Sequence, residues 1–119
     1  MARVTYLLLI ALLVLPSVVF ATQYVVGDDE GWNSGVDYYA WVEGKTFYVG
    51  DSLAFNYNAG AHNVVVVDAN GYDQCLASPN NGAYNSGHDV LTFNVAGDYY
   101  FICEWHCNHT DQKLKVTVN

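Results

Sequence analysis

The sequence predicts an all-β sandwich of about seven short strands, and two patterns support this. Apolar residues recur at every second position, which places them on one face of an extended chain, whereas helical periodicity is nearly absent. Turn-forming Gly, Asn and Asp residues separate these segments at short intervals, as expected for a sandwich rather than an α/β layout. The alternating sets are Leu53, Phe55 and Tyr57; Leu91, Phe93 and Val95; Tyr99, Phe101 and Cys103; and Leu114, Val116 and Val118.

One segment differs from this alternation. His62 opens a run that continues through four valines to Val67. A β-branched run without polar interruption is typical of a strand covered on both faces, so we expect a central strand here. We expect one short helix, between Asn70 and Ala77.

Residues 1–21 have the pattern of a secretory signal peptide. Arg3 precedes an apolar run from Leu7 to Leu15, and small residues around Ala21 suit signal peptidase. The run is shorter than the roughly 20 residues that cross a bilayer. We therefore expect cleavage after Ala21, which leaves residues 22–119 as a single secreted domain without a membrane anchor.

The charge of the expected mature chain restricts its partners. Without Arg3, residues 22–119 carry three lysines and 12 acidic residues, a net charge of −9. Such a surface repels nucleic acid and favours a basic or small-molecule partner. We expect a monomer.

Three cysteines, Cys75, Cys103 and Cys107, enter an oxidising compartment, where two should pair. The third must pair between chains, be buried, or bind a metal as thiolate.

A metal site is predicted around Cys103. Cys103 and His106 lie on one tight loop between two predicted strands, and His62 could reach the same end of the sandwich. Two imidazoles and one thiolate, with a weak axial group, form the trigonal site of blue-copper electron-transfer proteins. His109, within reach on the same loop, is the alternative to His106.

The residues also match a known family along nearly all of the expected mature chain. The matching segments are Tyr24–Gly27, Gly31–Trp32, Tyr39–Trp41, Phe47–Asp51, Leu53–Tyr57, His62–Val66, Tyr72–Cys75, Ser86–Asp89 and Tyr100–Cys103. In these segments the chain resembles the phytocyanins, small secreted plant cupredoxins, and most of all their stellacyanin and plantacyanin members.

The resemblance implies a Greek-key cupredoxin sandwich with one disulfide, from Cys75 to Cys107. It implies one copper ion, held by His62, Cys103 and His106. It further implies a carrier of single electrons between redox partners in the extracellular space or cell wall, rather than an enzyme. A copper oxidase needs several coppers and His-x-His pairs, which four histidines without such a pair cannot supply.

The chain departs from the family pattern in the metal loop. Two residues separate Cys103 from His106 where the family has four; this Cys-x-x-His spacing is that of plastocyanin, another cupredoxin. The shortened loop suggests the alternative of a copper-free or zinc-binding domain for recognition at the cell surface.

The fourth ligand is also predicted by resemblance. The single methionine is Met1, which leaves with the signal peptide, so no methionine is available. Gln112 resembles the axial glutamine of the stellacyanin branch, although five residues separate it from His106 where the family has four. Asp111 has the family spacing.

Two other residues, Asn108 and His88, are expected at the surface or near the loop. Asn108 begins an Asn-x-Thr sequon inside the loop and is a candidate for glycosylation. His88 is expected in a surface turn.

Overall fold

The chain folds into two β-sheets that enclose the main core. The computed structural model describes residues 20–119, so the predicted signal peptide lies outside the described residues except for Phe20 and Ala21. One sheet has the order β1 (Gln23–Val25), β2 (Ser52–Asn56) and β5 (His88–Thr92). The other has the order β4 (Ala83–Tyr84), β3 (Val64–Val67), β6 (Gly97–Ile102) and β7 (Lys113–Val118). The predicted all-β sandwich of seven strands is confirmed.

Most strand pairs are antiparallel; β1 and β2 run parallel. In β7, buried Leu114, Val116 and Val118 alternate with more exposed residues, as the period of two predicts. The prediction that Val95 continues the strand face of Leu91 and Phe93 is wrong. Because β5 ends at Thr92, Val95 lies in the following turn and is 68% exposed.

The central position of β3 between β4 and β6 is confirmed. Val64 packs in the core between the sheets, whereas Val65 and Val67 belong to a second cluster on the outer face. Both faces of the strand are therefore covered. The strand begins at Val64, so His62 lies just before it.

The expectation of one helix is wrong, because the described residues contain three short α-helices and a 3-10 turn at Asp28–Glu30. Helix α2 (Ala69–Gln74) occupies the predicted segment. Helices α1 (Tyr38–Val42) and α3 (Cys107–Thr110) have five and four residues, too few to show a helical period.

The predicted Cys75–Cys107 disulfide is confirmed. It joins the C-cap of α2 to the first residue of α3, and both cysteines pack on the outer face of the second sheet. Cys103 instead packs in the core between the sheets. No helix within residues 20–119 has the length and apolar character needed to cross a membrane.

Candidate metal centre

Three donor side chains converge at one end of the sandwich. His62 precedes β3, Cys103 follows β6, and His106 lies on the next loop. Cys103 Sγ is 3.9 Å from His62 Nδ1 and 3.4 Å from His106 Nδ1. The donor atoms all lie within 4.8 Å of one another, and this is the one such group among residues 20–119. Cys103 and His62 are buried and His106 is half-buried, so the group reaches the surface through His106.

The short loop brings Cys103 and His106 together by forming a closed turn. The Cys103 carbonyl accepts hydrogen bonds from the backbone N–H groups of His106, at 3.3 Å, and Cys107, at 2.9 Å. The bond to His106 spans three residues, which is the closure of a tight turn. Two intervening residues are therefore sufficient to bring the thiol and the imidazole into contact.

A hydrogen-bonded clamp that sequence reasoning missed joins this loop to the His62 segment. Asn63 Nδ2 donates to Glu104 Oε1 at 2.8 Å, and the Glu104 backbone N–H donates to Asn63 Oδ1 at 3.0 Å. Trp32 Nε1 donates to the Asn63 carbonyl at 2.8 Å. The available signal was Asn63 itself, since an amide at the start of a buried apolar run requires partners.

Trp32 approaches this position because Gly31 precedes it. Gly31 has a positive φ of 67°, and a Cβ there would lie 2.6 Å from the Asn56 carbonyl oxygen. The Trp32 backbone N–H donates to that same oxygen at 2.8 Å. Glycine thus allows the close approach of the two chain segments.

Gln112 lies beside the donor group. Its side chain is fully buried, and its backbone carbonyl accepts from the Cys103 N–H at 3.0 Å. Its Oε1 accepts from Ser34 Oγ at 3.4 Å, whereas its buried Nε2 lacks a partner among the described residues.

The extra residue before Gln112 is accommodated by the backbone. Helix α3 completes one turn, and Asp111 then adopts a left-handed conformation with φ 52°. This leaves Asp111 exposed and Gln112 buried. The residue with the family spacing therefore points away from the core, and the glutamine lies at the site.

Burial and the nearby His106 lower the pKa of His62, in that order of importance, and the Gln112 amide opposes this effect. A lowered pKa favours the neutral imidazole, which is the form that binds a metal.

The donor set fits copper. A thiolate and two imidazoles are the ligands of a blue-copper site, which also has a weak axial ligand. Rotating the Gln112 amide by half a turn would direct Nε2 to Ser34 and Oε1 to the position of the unpartnered nitrogen. The residues that the structure brings together thus supply three strong donors, one thiolate and two imidazoles.

Comparisons with known proteins agree with this geometry. Residues 32–113 match the family model of the plastocyanin-like domain. The cucumber basic protein, a blue copper protein, is 38% identical with a TM-score of 0.73, and the match covers 82% of this chain and 99% of that one. The chain belongs to the phytocyanin family.

Other phytocyanins give the same result. Cucumber stellacyanin is 34% identical, with a TM-score of 0.74 over 84% of this chain and 96% of that structure. A blue copper protein of Petunia hybrida is 48% identical over 99 residues. That match covers 82% of this chain but only 37% of the relative, which is therefore much longer.

The remaining candidate residues of this phytocyanin lie outside the donor group. His109 and Asn108 are both exposed on α3. His88 is on the surface as expected, but it begins β5 rather than lying in a turn, and its ring contacts the Asn56 side chain.

Proposed function

We propose that this phytocyanin carries single electrons between extracellular redox partners, using one copper ion held by His62, Cys103 and His106. The convergence of these three donors at a buried end of the sandwich carries the proposal. Copper bound there would supply reversible one-electron oxidation and reduction.

The protein contributes a fixed arrangement of ligands. The Cys103 carbonyl holds the loop through two backbone hydrogen bonds, and the Asn63–Glu104 clamp ties that loop to the His62 segment. All of these bonds join atoms other than the three donor atoms, so they hold the two donor segments together through the backbone and the clamp. A rigid donor set limits the rearrangement that accompanies a change of charge, and this supports an electron-transfer role.

Gln112 is proposed as the weak axial ligand through its amide oxygen. Its complete burial, its contact with Ser34 and its unpartnered Nε2 support this assignment. A hard oxygen donor should stabilise the oxidised ion more than a thioether would and so lower the reduction potential.

His106 is proposed as the edge through which electrons enter and leave. It is the half-buried member of a donor group whose other two members are buried, and the adjacent Trp105 is 53% exposed. The net charge of −9 expected for residues 22–119 supports a basic or small-molecule redox partner. We propose a monomer, secreted to the extracellular space or cell wall. The predicted signal peptide and the Cys75–Cys107 disulfide support that location.

An electron carrier is favoured over an oxidase by the placement of the histidines. His62 and His106 share the donor group, whereas His88 and His109 are exposed at other places. Oxygen consumption by the purified protein with a reducing phenol would contradict the carrier role.

The deciding experiment is copper reconstitution. Residues 22–119, with the disulfide formed, are titrated with Cu(II) beside the Cys103→Ser variant, and visible and EPR spectra are recorded. We expect an intense thiolate-to-copper band with narrow copper hyperfine splitting, at one copper per chain, that is lost in the variant. A colourless protein, or one that prefers Zn²⁺, would favour the recognition-domain alternative.

A further inference from the structure

The carboxylate of Asp51 is buried, and Asp51 directly precedes β2. Asp51 is only 3% exposed. Oδ1 accepts from the Thr22 backbone N–H at 2.8 Å, and Oδ2 accepts from the Tyr48 backbone N–H at 2.9 Å. These bonds satisfy the oxygens but bring no formal positive charge. Burying a carboxylate is costly unless a cation compensates it.

The lysine side chains of residues 20–119 are engaged at other places. Each lies over an aromatic ring: Lys45 over Trp41 at 4.7 Å, Lys113 over Tyr72 at 4.5 Å, and Lys115 over Tyr100 at 5.6 Å. Lys45 also donates to the Trp41 carbonyl, and Lys113 to the Tyr72 carbonyl. The cation for Asp51 must therefore come from another source.

The source lies at the predicted signal cleavage site. Hydrolysis of the Ala21–Thr22 peptide bond by signal peptidase consumes one water molecule, leaves a carboxylate on Ala21 and converts the Thr22 nitrogen into an α-ammonium group. That nitrogen is the atom already 2.8 Å from Asp51 Oδ1. Thr22 is held in register because its carbonyl accepts from the Ser52 N–H at 3.0 Å.

We propose that signal cleavage after Ala21 creates a structural ion pair between the new α-ammonium group of Thr22 and the buried Asp51 carboxylate. An α-amino group is protonated at neutral and acidic pH, so the pair forms on export. The pair anchors the start of β1 to the turn from Tyr48 to Asp51, whose ends are joined by the Asp51 N–H to Tyr48 carbonyl bond of 2.9 Å.

The ion pair requires Thr22 to be the N-terminal residue. Retaining Ala21 preserves a neutral N–H at Thr22 but moves the ammonium by about 3.5 Å along the chain. Thr22 is exposed, so the two remaining ammonium hydrogens can be solvated.

The test compares residues 22–119 with residues 21–119, each with Asp51 and with Asp51→Asn, with the disulfide formed in all four. Unfolding is followed by denaturant and by heat. With Asp51, we expect the 22–119 protein to have the larger folding equilibrium constant by about tenfold, with a Tm about 7 °C higher. With Asp51→Asn, the two lengths should be equally stable.

Equal stability of the 22–119 and 21–119 proteins that retain Asp51 would overturn the proposal. A stability difference of the same size between the two Asp51→Asn proteins would also overturn it. If Asp51→Asn does not fold, N-terminal acetylation of the 22–119 protein decides: acetylation removes the charge and keeps an N–H at Thr22, so the advantage over 21–119 must disappear for an ion pair and persist otherwise. The mass of the secreted protein provides a second test. A mature chain that begins at any residue other than Thr22 would also overturn the proposal.

Discussion

Asn63 and Glu104 are joined by two hydrogen bonds across 41 residues of sequence: the Asn63 amide donates to the Glu104 carboxylate and accepts from the Glu104 backbone N–H. Each residue directly follows a donor of the metal centre, His62 or Cys103. The relative position of those two donors is therefore set by a polar contact beside them.

Asn63→Ala should destabilise the fold by about 1–3 kcal/mol, because it removes both bonds and leaves the Glu104 N–H without its partner. The matched control is Glu104→Gln, which keeps an amide oxygen as acceptor and should cost less than about 1 kcal/mol. Urea unfolding of both variants measures the difference. Equal losses would show that the negative charge of the Glu104 carboxylate, rather than the bond to the Glu104 backbone N–H, dominates.

His106→Ala should abolish the intense blue band and weaken copper binding by more than about 100-fold. Losing only an outer partner of a metal ligand already costs about 10–100-fold. His109→Ala, the matched control at an exposed position of α3, should leave the spectrum unchanged. Competition with a copper chelator measures both affinities. Loss of the band in His109→Ala instead would reassign the ligand.

Gln112→Leu should affect the stability of the metal-free protein and the reduction potential of the copper-bound protein separately. The metal-free fold should be equally stable or more stable, because the substitution removes the buried Nε2 that lacks a partner. The reduction potential of the copper form should rise, since the amide oxygen no longer stabilises the oxidised ion. Unfolding of the metal-free protein and voltammetry of the loaded protein test the two effects separately. An unchanged potential would exclude Gln112 as a ligand.

Replacing Cys75 and Cys107 together by serine should destabilise the protein by about 3–4 kcal/mol, since the disulfide closes a loop with a sequence separation of 32. It should also weaken copper binding, because Cys107 directly follows His106. A copper affinity equal to that of the parent would show that the turn at Cys103 holds His106 without the disulfide.

Stability should fall at alkaline pH through Tyr57. Burial, together with the hydrogen bond that its hydroxyl donates to Asp89, raises the pKa of Tyr57 to about 12. Unfolded tyrosine ionises near pH 10, so this contribution is complete below pH 10 and is lost as the pH rises toward 12.

The matched control for that effect is Tyr57→Phe, whose unfolding free energy should decline less steeply over the same interval. The measurement is best made in a Cys103→Ser background, which removes the thiolate that could attack the disulfide at high pH. Identical slopes for tyrosine and phenylalanine would contradict the assignment.

The sequence patterns were sufficient for the strands and for the grouping of the donors. The alternation in β7 and the valine run of β3 reflect which faces of each strand are covered. Each pattern can be recognised within one segment of the sequence. The pairing of Cys75 with Cys107 came from family resemblance.

Other features depend on contacts that no single segment contains. The clamp between Asn63 and Glu104 joins two distant segments. Gln112 is buried because Asp111 before it takes a left-handed conformation, which spacing alone does not reveal. Val95 is exposed because β5 ends three residues earlier.

The second sheet separates the free thiol of Cys103 from the Cys75–Cys107 disulfide. Cys103 packs on its inner face, whereas Cys75 and Cys107 pack on its outer face, although Cys103 and Cys107 are only four residues apart. Because β6 and β7 are paired, the free thiol and the disulfide lie on opposite faces of one sheet. In the folded protein, exchange between the Cys103 thiol and the Cys75–Cys107 disulfide would therefore require the sheet to open.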